Sequence, residues 1–300
     1  EHKVTKILRE KPLEGRVVGV KVETHGKSFN YRSKKAVIIA SGGFGADLKM
    51  LARYDPRLRD METTNHREAT GECIVMAEDI GACVIHMDYI QCIPNVMVAT
   101  DPNKYILVNR EGQRFVAEDE RRDVLCEAIL RQPDRCCFSI TDAPAFEEGK
   151  NVRRYDQVME GIRRGRGAFE ANTMEELGRM LEVPVSNFVR TITDYNRHVD
   201  EGKDSEFGKH QHMLKYRIQT PPFYGAYGRV AVHYTCGGLM INPTTCQVID
   251  RRGEIIPGLY AAGEVTGGAD GTNRVGSNAT PMCVVFGKIC GKNAAKGSSQ

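Results

Sequence analysis

Two short apolar runs, each ending in a glycine turn, constrain the fold most strongly. The first covers residues 35–40 and leads into Ser41-Gly42-Gly43-Phe44-Gly45. The second covers residues 256–262 and leads into Gly263 and Glu264. Short apolar runs bounded by glycines are typical of buried strands. Because these runs lie near the two ends of a 300-residue chain, they predict a β-rich frame that is interrupted by a long insertion.

The insertion, from about residue 90 to residue 230, is predicted to be helical. It carries more charge and more loops than the ends of the chain. One helix is predicted over residues 174–181, with Asn172 or Thr173 as its N-cap and glutamates in its first turn. Another begins after Pro184 and has apolar residues at helical spacing. Two more helices are predicted outside the insertion, over residues 70–84 and 280–295.

Charge and hydropathy exclude several classes of function. The formal net charge of +3 gives no electrostatic basis for a nucleic-acid partner. No apolar run approaches the ~20 residues of a transmembrane helix, so no transmembrane segment is expected. The polar start Glu1-His2-Lys3 is unlike a signal peptide. We therefore expect a cytoplasmic protein, or a periplasmic one if a segment with a signal precedes this chain.

The ten cysteines indicate no metal site. No two of them form a C-x-x-C pair, so zinc ribbons, iron–sulfur clusters and c-type haem attachment have no support. Several cysteines stand in apolar surroundings. This favours buried free thiols in a reducing cytoplasm over a catalytic cysteine.

A glycine-rich segment follows the second apolar run. Residues 266–279 place glycines and small residues around one arginine, Arg274, and then open a helix. Backbone N–H groups at a helix start form a site for an anion. The carboxylate of Glu264, just after its glycine turn, suits ribose hydroxyls. A flexible surface loop would explain a single glycine-rich stretch, but the two together favour a dinucleotide site.

Several motifs carry a family resemblance through nearly the whole chain. They are Ala40–Gly45, Thr64-Asn65-His66 with Ala69-Thr70-Gly71-Glu72, Val108–Phe115, Tyr195-Asn196 with Gly202-Lys203-Asp204, His233–Gly238, Pro257–Glu264 and Gly271–Ala279. In type and order they resemble the FAD-dependent fumarate reductase and flavocytochrome c flavoproteins of the succinate dehydrogenase superfamily.

The resemblance implies an α/β fold: part of a Rossmann-like FAD-binding domain interrupted by an α+β capping domain. Residues 1–88 and 234–300 would form the FAD-binding part, and residues 89–233 the capping and substrate domain. The substrate site would lie in the cleft between them. In the family a G-x-G-x-x-G loop lies upstream of the Ser41 segment. Residues 1–40 contain no such motif, so only the C-terminal portion of the flavin site is expected here.

The resemblance also implies which residues contact FAD. They are Ser41, Gly42, Gly43, Gly263, Glu264, Ser277, Asn278 and Ala279. Glu264 would reach the ribose. The helix start at Ser277-Asn278-Ala279 would face the flavin ring, where the positive end of the helix dipole stabilises the anionic reduced ring.

Three catalytic residues follow from the same resemblance. Arg122 matches the family's proton-donating arginine, His233 a carboxylate-binding histidine, and Arg274 the arginine that clamps the substrate carboxylate. Arginine suits this last task because its planar fork binds a carboxylate through two hydrogen bonds. The expected substrate-binding residues are Thr70, Gly71, Glu72 and Ile93.

The chain departs from the family pattern at two places. Ile93 stands where fumarate-specific members carry a second histidine, and an apolar side chain cannot hold a second carboxylate. The stretch from Pro94 to Arg122 is also shorter, and only Asp101 and Lys104 offer charge where the family relays protons. We therefore expect a substrate with one carboxylate and an apolar or aromatic tail.

Three functions stay open. The first is a flavin-dependent oxidoreductase that reduces or forms the C=C bond of an α,β-unsaturated carboxylic acid, with an unknown electron donor or acceptor. The second is a truncated fragment that is non-catalytic or needs a partner chain. The third is a steroid-type flavin dehydrogenase, although such enzymes use tyrosines where this chain has His233 and Arg274.

Overall fold

The computed structural model describes residues 2–95, 101–150 and 153–297. The chain divides into two units: Glu1–Gln91 with Val232–Gln300, and Cys92–Ala231. We call them the frame unit and the inserted unit. The sequence predicts boundaries at 88/89 and 233/234, close to those of the structure. The assignment of the two units to flavin binding and capping stays a prediction.

Strands and helices are distributed over both units. The strands are β1 (Lys3–Lys11), β2 (Glu14–Thr24), β3 (Lys27–Arg32), β4 (Val37–Ile39), β5 (Glu62–Thr63), β6 (Val84–Ile85), β7 (Ile90–Asn95), β8 (Ile106–Val108), β9 (Cys136–Asp142), β10 (Ala168–Ala171), β11 (Phe223–Thr235), β12 (Gly238–Leu239), β13 (Gln247–Ile249) and β14 (Ile255–Ala261). The helices are α1 (Leu48–Tyr54), α2 (Glu72–Asp79), α3 (Arg122–Leu130), α4 (Ala143–Glu148), α5 (Arg153–Arg163), α6 (Met174–Met180), α7 (Val185–Glu201) and α8 (Ala279–Lys296).

Small sheets build the described part of the frame unit. β1, β2 and β3 form an antiparallel meander, in which β2 buries Val17 and Val22. β13, β14 and β4 form a second sheet in that order, with β14 parallel to β4. α8 contributes Cys290 and Ala294 to an apolar cluster with Tyr260 of β14. The two apolar runs that opened the sequence argument are therefore neighbours in one sheet.

The inserted unit contains an antiparallel sheet as well as helices. Its strands lie in the order β10-β11-β9-β8, and every residue of β9 is buried. α6 and α7 share one core with this sheet, through Leu177, Phe188 and Tyr195. The helical insertion expected from the sequence is thus mixed, which agrees with the α+β class that the family resemblance implies.

Helix ends show which local signals the chain uses. α6 begins after Thr173, whose Oγ1 accepts a hydrogen bond from Glu176 N over 3.1 Å, so Thr173 rather than Asn172 is the N-cap. The helix predicted over residues 70–84 is shorter. α2 ends at Asp79 because Gly81 adopts φ +97° and the chain then turns into β6.

Thiols and hydropathy agree with the sequence. All ten cysteines are free, and Cys126, Cys136, Cys137, Cys236, Cys246 and Cys290 are buried. Burial raises the pKa of the Cys126 and Cys137 thiols well above the usual range, which disfavours a nucleophilic role. Within the described residues, no helix has the length and hydropathy needed to cross a membrane.

Candidate functional site

The two glycine turns leave the same edge of the β13-β14-β4 sheet. β14 pairs with β4 in parallel, with Ala261 opposite Ile39. Ala262 N donates to Ile39 O over 3.1 Å just beyond the strand ends. The turns at Gly42-Gly43 and Gly263 therefore start side by side. In open α/β sheets, ligands bind outside the carboxyl ends of parallel strands.

Glycine is required at this edge for steric reasons. A Cβ added to Gly43 would lie 2.0 Å from Thr235 Oγ1 and 2.7 Å from Glu264 Oε1. Gly42 and Gly263 adopt φ of +76° and +87°, which favours glycine. The space beside Gly42 is open. Backbone without side chains next to open space is what a ligand needs for close approach.

Glu264 contacts Thr235, a partner that the sequence did not indicate. Its Oε1 accepts hydrogen bonds from Thr235 N over 2.9 Å and from Thr235 Oγ1 over 3.1 Å. Burial raises the pKa of the Glu264 carboxyl, and the Thr235 hydrogen bonds oppose this only in part. One carboxylate oxygen thus ties the second glycine turn to the end of β11, and the ribose contact stays a prediction.

The last residues of β11 contact different segments of the frame unit. His233 Nδ1 lies 2.7 Å from Thr64 Oγ1, and Thr64 N donates to Val232 O over 2.9 Å. These two contacts orient the imidazole, so that Nε2 lies on the ring edge away from Thr64. Tyr234 and Thr235 then contact the Arg274 and Glu264 segments.

Arg274 is buried and firmly held. It is only 6% exposed, and its guanidinium carbon lies 4.7 Å from the centre of the Tyr234 ring. Nη1 donates to Val275 O over 2.9 Å, and Gln91 Nε2 donates to Arg274 O over 2.8 Å. These contacts fix the position of the guanidinium, and its binding of a substrate carboxylate stays a prediction.

Asp270 links this arginine to the start of α8. Tyr234 OH donates to Asp270 Oδ2 over 3.1 Å, and Asn278 Nδ2 donates to Asp270 Oδ1 over the same distance. Burial and the Asp270 carboxylate raise the pKa of Tyr234, so its hydroxyl stays a donor. Ser277 adopts φ +66° and α8 begins at Ala279. The helix start therefore lies where the sequence predicts it.

The Thr70-Gly71-Glu72 segment is only partly placed at this edge. Gly71 N donates to Gly43 O over 3.2 Å, and a Cβ on Gly71 would lie 2.7 Å from Phe44 Cβ. Thr70 precedes this contact and is half-buried. Glu72 instead forms an exposed ion pair with Lys3 over 3.1 Å, so a substrate contact through Glu72 would have to displace Lys3.

The remaining predicted residues belong to the inserted unit, whereas the residues described above belong to the frame unit. Ile93 is half-buried in β7, and Arg122 is the half-buried first residue of α3. Asp101 Oδ1 accepts from Asn103 N over 2.9 Å, and Lys104 pairs with Glu148. Neither charge thus has the local contacts of a proton relay. Residues 96–100, in the shortened stretch, lie outside the described residues.

Sequence reasoning missed five residues of this site: Thr64, Gln91, Tyr234, Thr235 and Asp270. Thr64, Gln91 and Tyr234 stand inside or beside the quoted motifs, but their contacts join segments far apart in the chain. One signal in the sequence was strand alternation at His233-Tyr234-Thr235, which predicts that successive side chains point to opposite faces of the strand.

Comparison with known proteins gives the family. The model of the FAD binding domain family matches residues 1–280. A probable fumarate reductase of Shewanella frigidimarina is 38% identical over 290 residues, covering 93% of this chain and 47% of that protein. A urocanate reductase of Eggerthella lenta is 36% identical over 295 residues, covering 94% of this chain and 48% of that protein.

A solved structure agrees with these relatives. An open conformation of a flavocytochrome c3 fumarate reductase superposes with a TM-score of 0.82 at 35% identity, covering 98% of this chain and 52% of that one. The α/β class expected from the sequence is confirmed, as is FAD as the cofactor of the family. This chain spans about half the length of these proteins. It belongs to the FAD binding domain family, among the fumarate reductase-type flavoproteins.

Proposed function

We propose that this chain serves in an FAD-dependent oxidoreductase that transfers a hydride between flavin and the C=C bond of an α,β-unsaturated carboxylic acid. One observation carries the proposal. Two glycine turns at the carboxyl ends of parallel strands lie beside the end of β11, which orients His233 and supports Arg274. The sheet edge proposed to bind the dinucleotide and the two residues proposed to bind the carboxylate thus belong to the same unit.

The residues of the frame unit fit FAD. Gly42 lies beside open space, and both Gly42 and Gly263 adopt positive φ values that favour glycine. The amides of the first turn of α8, after Ser277 and Asn278, suit an electron-rich ring edge. When bound, FAD supplies the hydride acceptor or donor. The chain's own residues would hold the cofactor through backbone contacts and through the predicted contact of the Glu264 carboxylate with the ribose.

Arg274 and His233 would bind the substrate carboxylate. The stacked, hydrogen-bonded guanidinium offers a fixed charge, and His233 adds a hydrogen bond through the ring nitrogen opposite Thr64. Truncating one partner of a buried charge pair typically costs ~2–5 kcal/mol. The same pair polarises the C=C bond, since it stabilises negative charge on the carboxylate as the bond is reduced.

Arg122 would deliver the proton that accompanies the hydride. Reduction adds a hydride to one carbon and a proton to the other, and the arginine is then reprotonated from solvent. Arg122 is the half-buried first residue of α3, and a positioned side chain that transfers a proton in the transition state acts as a general acid.

Ile93 would select a monocarboxylic substrate. A second carboxylate beside an apolar, half-buried side chain would be desolvated without a partner, at an effective cost of several kcal/mol. The name of the urocanate reductase relative supports this class, because urocanate has one carboxylate and an imidazole tail. Fumarate, with two carboxylates, would be the poorer substrate.

Reoxidation of the reduced full-length flavoprotein tests the proposal. The protein is reduced with dithionite, and flavin absorbance is followed after addition of fumarate, acrylate, urocanate or cinnamate. We expect fast reoxidation by a monocarboxylic enoate. The saturated analogue 3-phenylpropionate is the matched control and should leave the flavin reduced. No reoxidation by any unsaturated acid would contradict the proposal.

The exposure of several apolar side chains favours the second possibility, in which this chain needs further polypeptide to bind FAD. Val284 and Val285 of α8 are 65% and 53% exposed, and Ile38 of the edge strand β4 is 45% exposed. Contiguous exposed apolar patches mark binding surfaces, and these three side chains would contribute to one if further polypeptide packs there. Equilibrium dialysis of this chain with FAD separates the cases: retention of FAD means that the chain suffices, and its absence means that more polypeptide is required.

A further inference from the structure

Four buried charges form a closed cluster in the inserted unit. Arg114 Nε and Nη2 each donate to a carboxylate oxygen of Glu118 over 3.0 Å, and Nη2 also donates to Asp204 over 3.0 Å. Lys209 Nζ donates to Glu118 Oε2 over 3.1 Å. These side chains are at most 1% exposed. Two anions and two cations therefore balance inside the core.

Stability alone does not explain such a cluster. Moving ions out of water costs free energy, and well-packed apolar side chains often stabilise a core as well or better. Burial acts to raise the pKa of the Glu118 carboxyl, but Lys209 and Arg114 outweigh it and the pKa is lowered. A satisfied ionic network of this kind makes the positions of the joined segments specific.

The cluster holds the chain directly before α3. Glu118 Oε1 also accepts from Leu107 N over 3.2 Å. The next residue, Asp119, accepts two hydrogen bonds at Oδ2, from His210 N over 3.0 Å and from His210 Nδ1 over 2.6 Å. The neighbouring carboxylates of Glu118 and Asp119 are thus bound by the neighbouring side chains of Lys209 and His210, respectively. This double contact fixes the main chain a few residues before Arg122.

The start of α3 needs such support from elsewhere. Arg121 occupies the N-cap position and, within the described residues, makes no side-chain capping hydrogen bond. Serine, threonine, aspartate or asparagine usually fixes a helix start there. In α3 the anchored pair Glu118-Asp119 takes this part, and the residue that it places is Arg122.

We propose that Glu118 and Asp119 are positioning residues for Arg122, held by Lys209 and His210. This inference rests on the proposed proton-donating role of Arg122. A proton donor acts over a hydrogen-bond distance, and a displacement of about 1 Å can cost roughly a hundredfold in rate. The ion cluster and the His210 contact together prevent such a displacement.

His210→Ala in the full-length flavoprotein is the direct test. Removing a charge from the core, as in Glu118→Gln, risks unfolding, whereas the His210 side chain is 68% exposed. We expect kcat to fall roughly ten- to a hundredfold, with KM and flavin content unchanged. Amide hydrogen exchange of residues 119–126 should become faster. His210→Asn, whose amide can donate in place of Nδ1, should restore most of the rate.

The matched control is Asp200→Asn, which removes an exposed ion pair with Arg217 in the same unit. It should change neither kcat nor exchange at residues 119–126. In an Arg122→Ala background, His210→Ala should cause no further loss, because both changes act through one group. Additive losses, or unchanged amide exchange in His210→Ala, would overturn the inference. Failure of the proposed function looks different: Arg122→Ala alone would keep its turnover.

Discussion

Arg274 lies over the ring of Tyr234, with its guanidinium carbon 4.7 Å from the ring centre. The Tyr234 hydroxyl is in turn bound to Asp270, which also receives Asn278 from the start of α8. The arginine proposed to bind the substrate carboxylate is therefore joined to the helix proposed to face the flavin. The residues that make these contacts all belong to the frame unit, so the contacts form when that unit folds.

Two substitutions of Tyr234 should distinguish the contribution of its ring to substrate binding from the contribution of its hydroxyl. Tyr234→Leu removes the face on which the guanidinium stacks, a contact worth about 0.5–2 kcal/mol, so KM for the acid should rise several-fold. Tyr234→Phe keeps the face and should raise KM less. Steady-state kinetics of the full-length flavoprotein measure both. Equal KM values for the two variants would show that stacking does not hold Arg274 in its binding position.

Gly43→Ala should destabilise the frame unit and weaken flavin binding. Its Cβ would lie 2.0 Å from Thr235 Oγ1 and 2.7 Å from Glu264 Oε1, and overpacking typically costs ~1–3 kcal/mol. Gly291→Ala is the control, since Gly291 is exposed in α8, has no positive φ and has nothing within 4 Å of its Cβ position. Thermal unfolding and flavin content report the effect. Full flavin content in Gly43→Ala would contradict a close backbone approach at this turn.

Acid should weaken the ion cluster through Asp204. Burial acts to raise the pKa of Asp204, but the hydrogen bond and charge of Arg114 prevail and lower it from 3.8 to about 2. A carboxyl with a depressed pKa stabilises the fold above its unfolded value, and this stability is lost as pH falls from about 4 to about 2. The loss should be at most about 2 kcal/mol.

Urea unfolding at several pH values measures this loss. Asp204→Asn should unfold more easily at neutral pH, because Arg114 loses one of its buried partners. Its stability should also fall less steeply below pH 4 than that of the parent protein. Parallel pH profiles for the two proteins would show that Asp204 is not the group that titrates.

Ile93→His should shift specificity toward fumarate. An imidazole at position 93 can pair with a second carboxylate, so the ratio of kcat/KM for fumarate over a monocarboxylic enoate should rise by about tenfold or more. Ile255→His, at a 41% exposed position of the frame unit, is the control and should leave the ratio unchanged. A parent protein that already prefers fumarate would refute the reading of position 93.

Local rules made the glycine turns and helix starts predictable from sequence. Gly42 and Gly263 adopt positive φ values where short apolar runs end, and Thr173 caps α6 through a contact three residues away. Gly43 is different, because the side chains that require glycine there are distant in the sequence. Tyr234 under Arg274, and Thr235 on Glu264, were not predictable. Those pairs meet only because β11 ends beside the sheet edge, and no sequence periodicity records such a long-range contact.

The local pattern along the insertion predicted its helices but not its sheet, which only the family resemblance implied as part of an α+β domain. β9 is buried along its whole length, so it lacks the alternation that identifies a half-buried strand. Its partner β11 contains glycines and Arg229 within thirteen residues, which obscures an apolar run. α2 was predicted too long because its periodic pattern continues past Gly81, whereas the positive φ of that glycine ends the helix.

Reoxidation of the dithionite-reduced Arg122→Ala flavoprotein by an unsaturated acid tests the central claim most directly. Arg122→Lys is the matched variant and should recover only part of the rate, because it lacks the planar fork. If Arg122 donates the proton, Arg122→Ala should slow reoxidation by ~10²–10⁴-fold while the flavin stays bound and reducible. A loss of less than about tenfold, below the range of general acid catalysis, would contradict the account and leave Arg122 a structural charge at the start of α3.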